Sequence, residues 1–564
     1  MRRMHVKLAI CEHLLSQHSS KTHHGNSIMN AAVNRVPSAA VSPRPANDSS
    51  AGSSKDQIVA SHTPELVIAL CGPIGSPLRT VGEELKGILL DTFDYDDCKV
   101  IRLSDFIKTH AQSVGVDIPE GPPFDRIQAQ ITAGNKLREM YGASVLAELA
   151  VHDIRVDRER TKTDNADAHY RPRKVCHIID SIKNQEELEL LRLIYREMVY
   201  VIGVFAPLAL REDSLRAKMP INQIYQLIDR DSGEEVGHGQ KVGDTFPRCD
   251  FFLRIESSSD SHLKKRVERF IHLVLGTKVI TPTPSEAAMY AAAMAATSSA
   301  CLSRQVGAAV TDDEGNVIGI GWNDVPKFGG GLYLSSSPAF EGDADRDFRC
   351  WNRDGGKCFN DEEKALFAEE IIRTLSSAIP HEKLSEAREA LQGNGKLKGL
   401  IEFSRAIHAE MHAIINASRI GGGALVGGRL YVTTYPCHSC ARHIVVAGIR
   451  EVYYIEPYRK SLAVRLHGDA VSEVETDRDK VRFLAFEGVA PSRYLSLFKT
   501  PLAGRKQAGR MIKISAAKAS PKLEKSLEAL PALEAVVVRS LISKNLVANN
   551  GVIDDDAPSP PRAA

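Results

Sequence analysis

Three side chains can hold one metal ion only if the fold brings them to a single point, and one stretch of this chain requires that. IHAEMHAI at 407–414 and TTYPCHSCARHIV at 433–445 supply His408, Cys437 and Cys440, with Glu410 two residues past the histidine. Imidazole nitrogen and thiolate sulfur are zinc donors, and a catalytic zinc keeps its fourth position open for water. Zinc lowers the pKa of that water from about 15.7 to roughly 7, and Glu410 is placed to carry protons to and from it. The pattern calls for a helix, a strand and a second helix. YVTT at 431–434 reads as a short buried strand that Pro436 ends. CHSCARHIVVAG then has helical spacing, so Cys437 and Cys440 share one face of a first turn whose positive end favours thiolates. His408 opens a helix running through Ala413, Ile414 and Ala417 to the glycines at 421–423. A lone C-x-x-C fits a structural zinc equally well; the upstream H-x-E and the Pro-Cys after a strand favour a catalytic one.

At 564 residues the chain is long enough for two or three domains, each with a core. Its net charge of +1, from 72 basic and 71 acidic residues, gives no general attraction to phosphate backbones or anionic membranes. The most apolar helical run, AAMYAAAMAA, is too short for a bilayer. Ten cysteines without a regular framework suggest a reducing compartment, so a cytoplasmic location is expected.

The segment 1–62 is basic and Ser-rich with a linker composition, and is expected to be a disordered tail, with Met29 an alternative start to Met1. Order begins at Glu65. LVIALCGPIGSP is an apolar strand entering a Gly-rich turn, followed by VGEELKGILLDTF with helical spacing, the layout of a phosphate-binding loop. Counting from Gly72, however, the positions for Gly, Lys and Ser/Thr hold Pro77, Leu78 and Arg79, so no loop lysine reaches a terminal phosphate and only Arg79 could substitute. KVCHIIDSI ends a second strand near Asp180, where such proteins keep a magnesium-organising carboxylate, and MVYVIGVFAP is a third strand. Gly72, Gly75, Arg79 and Asp180 are therefore the candidate nucleotide-binding residues of a parallel α/β domain over 63–275 that resembles nucleoside-phosphate kinases. RDSGEE at 230–235 reads as an exposed loop. Phosphoryl transfer is not expected here.

TPTPSEAAM marks the next boundary, with Ser285 as cap of a helix over 286–302. QVGAAVTDDEGNVIGIGWNDVP reads as a hairpin, and EVYYIEP as a strand after the second metal helix. These elements span 285–500, with an insertion at 328–400 that carries two charged helices around 361–375 and 381–392 and is of the kind that forms substrate walls. Cys350 and Cys358, with seven residues between them, lack a usual ligand spacing and are read as free thiols. The extension 501–564 is basic, then carries an amphipathic helix interrupted at Pro531 that is expected to pack on the second domain, then a disordered end.

H-x-E followed by P-C-x-x-C is the signature of the zinc nucleobase deaminases. With LSRQVGAAV (302–310), GWNDVPKFGGGLY (321–333), SRAIHAEMHAI (404–414), YIEPYRKSLAVRLHGDAV (454–471) and, upstream, HIIDSIKNQEELELLR (177–192), the chain resembles the two-domain bacterial antiviral deoxycytidine nucleotide deaminases. These are relatives of deoxycytidylate deaminase with an N-terminal degenerate P-loop domain. The resemblance implies a cytidine-deaminase-like α/β/α sandwich beside the kinase-like domain, zinc on His408, Cys437 and Cys440, and Glu410 as proton shuttle. It further implies a free substrate, dCMP or dCTP, deaminated to deplete deoxycytidine nucleotides during phage infection. Asn323 would meet the sugar, and Arg304 and Tyr458 the phosphate and base, although fold support explains those last two as well.

Three alternatives are kept. A housekeeping deoxycytidylate deaminase has the same motifs. Editing of single-stranded DNA or RNA needs a basic channel and aromatic platforms, which a neutral chain with two tryptophans does not advertise. A nucleotide sensor would use the deaminase fold only as scaffold. The expected partners are the nucleotide and further copies of the chain, with no membrane and no general nucleic acid; a regulatory RNA or protein stays open.

Overall fold

LVIALC, a run of six apolar residues, forms β1 (Leu66–Cys71), buried along its whole length as a central strand of a covered sheet must be. The computed structural model describes residues 61–160, 170–231, 241–257, 260–335, 347–458, 461–500, 504–522, 525–527 and 530–548. All lie in the compact unit Ser54–Ala564. After β1 and its glycine turn come α1 (Leu78–Phe93), β2 (Asp97–Arg102), α2 (Pro123–Tyr141), α3 (Val145–Glu159), β3 (Val175–Ile182), α4 (Gln185–Tyr195) and β4 (Val199–Phe205). Then follow α5 (Leu208–Arg216), α6 (Ile221–Asp231), β5 (Phe251–Arg254) and α7 (Leu263–Leu275). The five strands pair in parallel in the order β5-β4-β1-β3-β2.

The second half runs α8 (Pro284–Ala296), β6 (Gly307–Thr311), β7 (Val317–Trp322), α9 (Phe359–Leu375), α10 (Leu384–Gly393), α11 (Ala409–Gly421) and β8 (Arg429–Thr434). It continues with α12 (His438–Val446), β9 (Glu451–Glu456), β10 (Val471–Ser472), β11 (Val481–Ala485), β12 (Gly488–Val489) and α13 (Leu530–Ser543). Its sheet has the order β10-β11-β9-β8-β6-β7, with β6 antiparallel to both neighbours and the remaining pairs parallel. β12 leaves this sheet and pairs antiparallel with β5, Val489 opposite Phe251. The two sheets also share a core: one apolar cluster runs from Val67 and Val201 through Ala288 and Met289 of α8 to Ala309, Tyr431 and Phe486.

Small residues set the layer spacing around the second sheet. A Cβ at Gly307 would meet the Ala292 carbonyl oxygen of α8 at 2.0 Å, and one at Gly321 the Ala413 nitrogen of α11 at 2.3 Å. The alanine-rich α8 and the Ala409, Ala413, Ala417 stripe of α11 thus lie backbone to backbone on opposite faces of the β6-β7 hairpin.

Several expectations are corrected. Thr283, not Ser285, caps α8, in a reciprocal pair with Glu286 of the T-x-x-E type, and Ser285 instead meets the Tyr431 hydroxyl at 3.0 Å. α8 stops at Ala296, where Thr297, Ser298 and Ser299 offer hydroxyls that compete for backbone groups; Thr297 bonds the Met294 carbonyl and Ser299 that of Asn323. Arg230 and Asp231 close α6, with Asp231 only 2% exposed, where an exposed loop was expected; 232–240 lie outside the described residues. Order begins before Glu65: His62–Thr63 pairs antiparallel with Lys525–Ser526. Residues 1–60 and 549–564 lie outside the described residues. Finally, α13 starts at Leu530, its proline tolerated in the first turn, and packs not on the second sheet but on α3 of the first. Arg158 pairs there with Glu534 at 3.1 Å and with Glu65 at 2.7 Å, and Tyr195 donates to Glu534 at 3.1 Å, all four side chains being buried.

Candidate metal centre and active site

β8 delivers the chain to Pro436, and Cys437 becomes the N-cap of α12 with its sulfur accepting from the Cys440 backbone N–H at 3.4 Å. His408 is the N-cap residue of α11, which puts Glu410 in the first turn, 4% exposed. α11 is fixed on β7 by His412, whose Nδ1 lies 3.2 Å from both the backbone nitrogen and the oxygen of Trp322, and by Asn416, which donates to the Ile320 carbonyl at 2.9 Å.

His408 Nδ1 is 3.2 Å from Cys440 Sγ and 3.4 Å from Cys437 Sγ. The three donor atoms lie within 4.8 Å of one another, the one such group of His, Cys or acidic side chains among the described residues. Tetrahedral zinc, with bonds of about 2.3 Å to sulfur and 2.0–2.1 Å to nitrogen, sets its donors roughly 3.5–3.8 Å apart, so the triad fits that ion with little adjustment. The electrostatics agree. Bonds from Cys440, then the His408 ring, bring Cys437 down to about 4. The contact with Cys437 lifts His408 to about 9, and Cys440, bonded to Cys437 and buried, is pushed well above a free thiol. A thiolate at Cys437 is thus balanced by the protonated His408 ring, and a metal ion binding here displaces the protons of His408 and Cys440. Burial raises the Glu410 carboxyl.

His408, Cys437 and Glu410 line a cavity of about 230 Å³, with Cys440 buried beside them. The structure brings Asn323, Arg304 and Tyr458 to the same cavity. Asn323 is largely committed to its own loop: its Oδ1 accepts from Val306 N–H and its Nδ2 donates to the Arg304 carbonyl, each at 2.8 Å. Arg304 is exposed and paired with Glu456 at 2.8 Å. Tyr458 is half-buried, and burial raises its hydroxyl. The sequence left out Tyr435, directly before Pro436, and Arg405, stacked 4.9 Å from the Phe359 ring of the insertion; both line the cavity. Cys350 and Cys358 reach the cavity as free thiols, Cys358 3.3 Å from the Ser303 hydroxyl.

The candidates of the first sheet lie elsewhere, at the glycine turn. Gly75 has φ +84°, and a Cβ at Gly72 would meet the Val204 oxygen at 2.6 Å, so both positions need glycine. The exposed Arg79 pairs with Glu83 on its own helix at 2.8 Å. Asp180 is half-buried, and burial raises its carboxyl. The turn is instead clamped by two residues the sequence did not single out. Lys183 donates to the Gly72 carbonyl at 2.9 Å and to Asp231 at 2.8 Å, and Asp231 accepts from the Ile74 N–H at 2.6 Å. A side-chain carboxylate thus takes an amide of the kind a phosphate-binding turn aims at its anion.

Residues 282–456 match the family described as the cytidine and deoxycytidylate deaminase zinc-binding region. Over 95 residues the chain is 40% identical to ComE operon protein 2 of Bacillus subtilis (strain 168), which covers 14% of this chain and 49% of that protein. It is 44% identical over 55 residues to the deoxycytidylate deaminase of Enterobacteria phage T4, covering 10% of this chain and 28% of that one. The probable deoxycytidylate deaminase of Drosophila melanogaster is 34% identical over 94 residues, covering 17% and 39% respectively. The chain therefore spans half or less of these relatives' lengths. Among solved structures, the dCMP deaminase of cyanophage S-TIM5 in complex with dCMP and dUMP aligns over 36% of this chain and 98% of its own, at 19% identity and a TM-score of 0.21. The matched region and the His408, Cys437, Cys440 group agree on a zinc site of the deaminase type.

Proposed function

We propose that this chain hydrolytically deaminates deoxycytidine nucleotides, dCMP or dCTP, to the deoxyuridine forms. The observation that carries this reading is the convergence of three zinc donors, two of which share one cavity with the buried Glu410 carboxyl. His408, Cys437 and Cys440 hold the ion; when bound, zinc supplies the Lewis acidity that makes water nucleophilic at neutral pH. Glu410 takes a proton from the attacking water, passes it to N3 of the cytosine ring, and carries the second to the departing amine. C4 gains an oxygen and ammonia leaves. Asn323 holds the 304–306 loop in place, and with it Arg304 at the rim, where a phosphate would be met.

The deoxycytidylate deaminases among the relatives support the monophosphate as one substrate, and the motif resemblance supports the triphosphate and a role in starving a replicating phage. The same resemblance supports assembly of several copies, in the cytoplasm. Among the described residues no helix is long and apolar enough to cross a membrane. We take 63–275 and 285–500 as the two functional halves. The first is a P-loop-like scaffold by its strand order and glycine turn, and no phosphoryl transfer is assigned to it, because Asp231 occupies the turn.

The test is ammonia release from dCMP, dCTP, CTP, deoxycytidine and a cytosine-containing oligonucleotide. Turnover of the deoxynucleotides is expected, falling by roughly 10²–10⁴ in Glu410→Ala at unchanged zinc content. Preference for the oligonucleotide, or full activity of the variant, overturns the reading.

A further inference from the structure

The insertion lends Cys350, Cys358, Phe359 and Asn360 to the wall of the deaminase cavity, and cations converge there on one ring. Phe359 is the first residue of α9. The Arg405 guanidinium carbon stands 4.9 Å from the centre of its ring, the Lys357 ammonium 5.0 Å and the Arg353 guanidinium carbon 5.3 Å. We infer that this cationic wall is a phosphate-tail subsite, with Arg405 at its inner end, and that it makes the chain favour a nucleoside triphosphate over the monophosphate. The ranking of substrates rests on the function proposed above; the binding of a polyphosphate here does not.

The partners of these cations differ. Arg304, also at the cavity, is matched by Glu456 at 2.8 Å. Lys357 pairs with Glu362 at 2.9 Å, and Arg353 has Asp354 at 3.7 Å, both pairs exposed. Among the described residues no acid pairs with Arg405: its Nη1 is buried without a hydrogen-bond partner, and the Cys350 thiol is its neighbour of that kind. Beside it, Asn360 donates from Nδ2 to the Leu400 carbonyl at 3.4 Å, while its Oδ1 is buried and unpartnered. Buried polar groups are nearly all hydrogen-bonded, so a donor and an acceptor left open on one cavity wall mark a surface for a ligand with groups of both kinds. A phosphate answers the guanidinium, and a sugar hydroxyl answers the amide oxygen. The number of cations sets the number of phosphates. Cation–aromatic contacts occur roughly once per 70–80 residues, so three cations repelling one another around one ring call for a polyanion. The outer two are held only by exposed ion pairs, which are weak and exchange readily for a phosphate oxygen.

The wall is fixed relative to the reacting end of the cavity. Arg405 precedes His408 by three residues, which span at most about 11 Å. Ile407 N–H between them donates to the Asp324 carbonyl at 3.0 Å, tying this segment to the Asn323 loop. α9 is tied to the same segment: Lys364 donates to the Lys398 carbonyl at 2.9 Å, and Asn360 reaches Leu400. A phosphate tail held on Phe359 and Arg405 therefore fixes how far the base extends toward His408 and Glu410.

Initial rates with dCTP, dCDP and dCMP, and calorimetric titration with inorganic tripolyphosphate, both on the full chain loaded with zinc, test the wall. The unaltered protein is expected to show a kcat/KM for dCTP roughly tenfold or more above that for dCMP, with dCDP between them. Arg405→Gln is expected to lower that ratio by roughly tenfold, through KM and not kcat, and to weaken tripolyphosphate by a similar factor at retained zinc content. Arg405→Lys, which keeps the charge, is expected to recover part of both. Arg353→Gln combined with Lys357→Gln, two exposed positions outside the cavity lining, is expected to lower the same ratio severalfold. An unaltered protein that prefers dCMP overturns the substrate ranking. Equal tripolyphosphate affinity in all the variants overturns the subsite, as does a loss of rate that is uniform across the three nucleotides, the mark of a purely structural role. Tripolyphosphate binding that is lost in Arg405→Gln, in a chain inactive on every cytosine compound, retires the deaminase reading and leaves the anion site standing.

Discussion

A methyl group is enough to separate α11 from its sheet. At Gly321 it would lie 2.3 Å from the Ala413 nitrogen and 2.7 Å from the Ala409 oxygen, both backbone atoms that no rotamer can move aside. Gly321→Ala is therefore expected to cost about 1–3 kcal/mol or more, the range for overpacking a filled core, and to lower zinc content because His408 begins the displaced helix. Denaturant unfolding and metal analysis check this; a variant as stable and as zinc-replete as the parent would show that the layers can part cheaply. His177 makes a different prediction. Its ring is fully buried, with Nε2 3.2 Å from Asp157 and no partner for Nδ1. Burial, aided by Arg173, Arg158 and Lys99 against the pull of Glu65, lowers its pKa to about 4. The folded pKa is below the unfolded value near 6.5, so the unfolded chain binds more protons between the two. Stability is present above pH 6.5 and is lost as pH falls toward 4, by about 2 kcal/mol from pH 7 to pH 5. Unfolding midpoints at the two pH values, compared with those of His177→Gln, isolate this contribution.

At the scale of elements, what could be read in advance was what local sequence encodes. β1, β3 and β4 are continuous apolar runs, the β6-β7 hairpin carries its turn residues, and the metal helices follow from ligand spacing and the bounding Pro436 and glycines. What stayed hidden depends on partners far along the chain. Asp231 looks like one acid in a polar loop until Ile74, 157 residues away, presents its amide. Lys183 acquires meaning only beside Gly72, at a separation of 111. The docking of α13 rests on Glu534 meeting Arg158 across 376 residues. A strand of two residues such as β12 has no periodicity to read. The hidden contacts still carry weight: removing one partner of a buried ion pair costs roughly 3–5 kcal/mol. Ending the chain after Leu527 would remove Glu534 from Arg158 and Tyr195, so the first sheet is expected to lose about that much stability, with protease cleavage appearing first in α3. Unchanged protease resistance would mean that the shortened chain finds another partner for Arg158.

For the whole molecule, the two sheets are not beads on a string. They share the cluster that runs through α8, and polar ties cross between them. Arg269 pairs with Glu286 at 2.8 Å, Glu286 accepts from Val489 N–H at 2.9 Å, and Arg254 reaches Glu475 at 3.0 Å. Calorimetry is expected to show one cooperative transition, with calorimetric and van't Hoff enthalpies in agreement, where separate domains would give two. The family match at 282–456 ends with β9, so β10, β11, β12 and α13 lie beyond it.

That arrangement gives the smallest strand an outsized bearing on ancestry. Val489 sits opposite Phe251, so the edge of the N-terminal sheet is closed by residues encoded after the catalytic region. A recombination event that exchanged everything upstream of Thr283 would bring in a sheet without its matching edge, and one that transplanted everything downstream of it would carry away the stitch. Two ancestral genes can be joined at a linker, but once a strand has crossed over, their descendants diversify together.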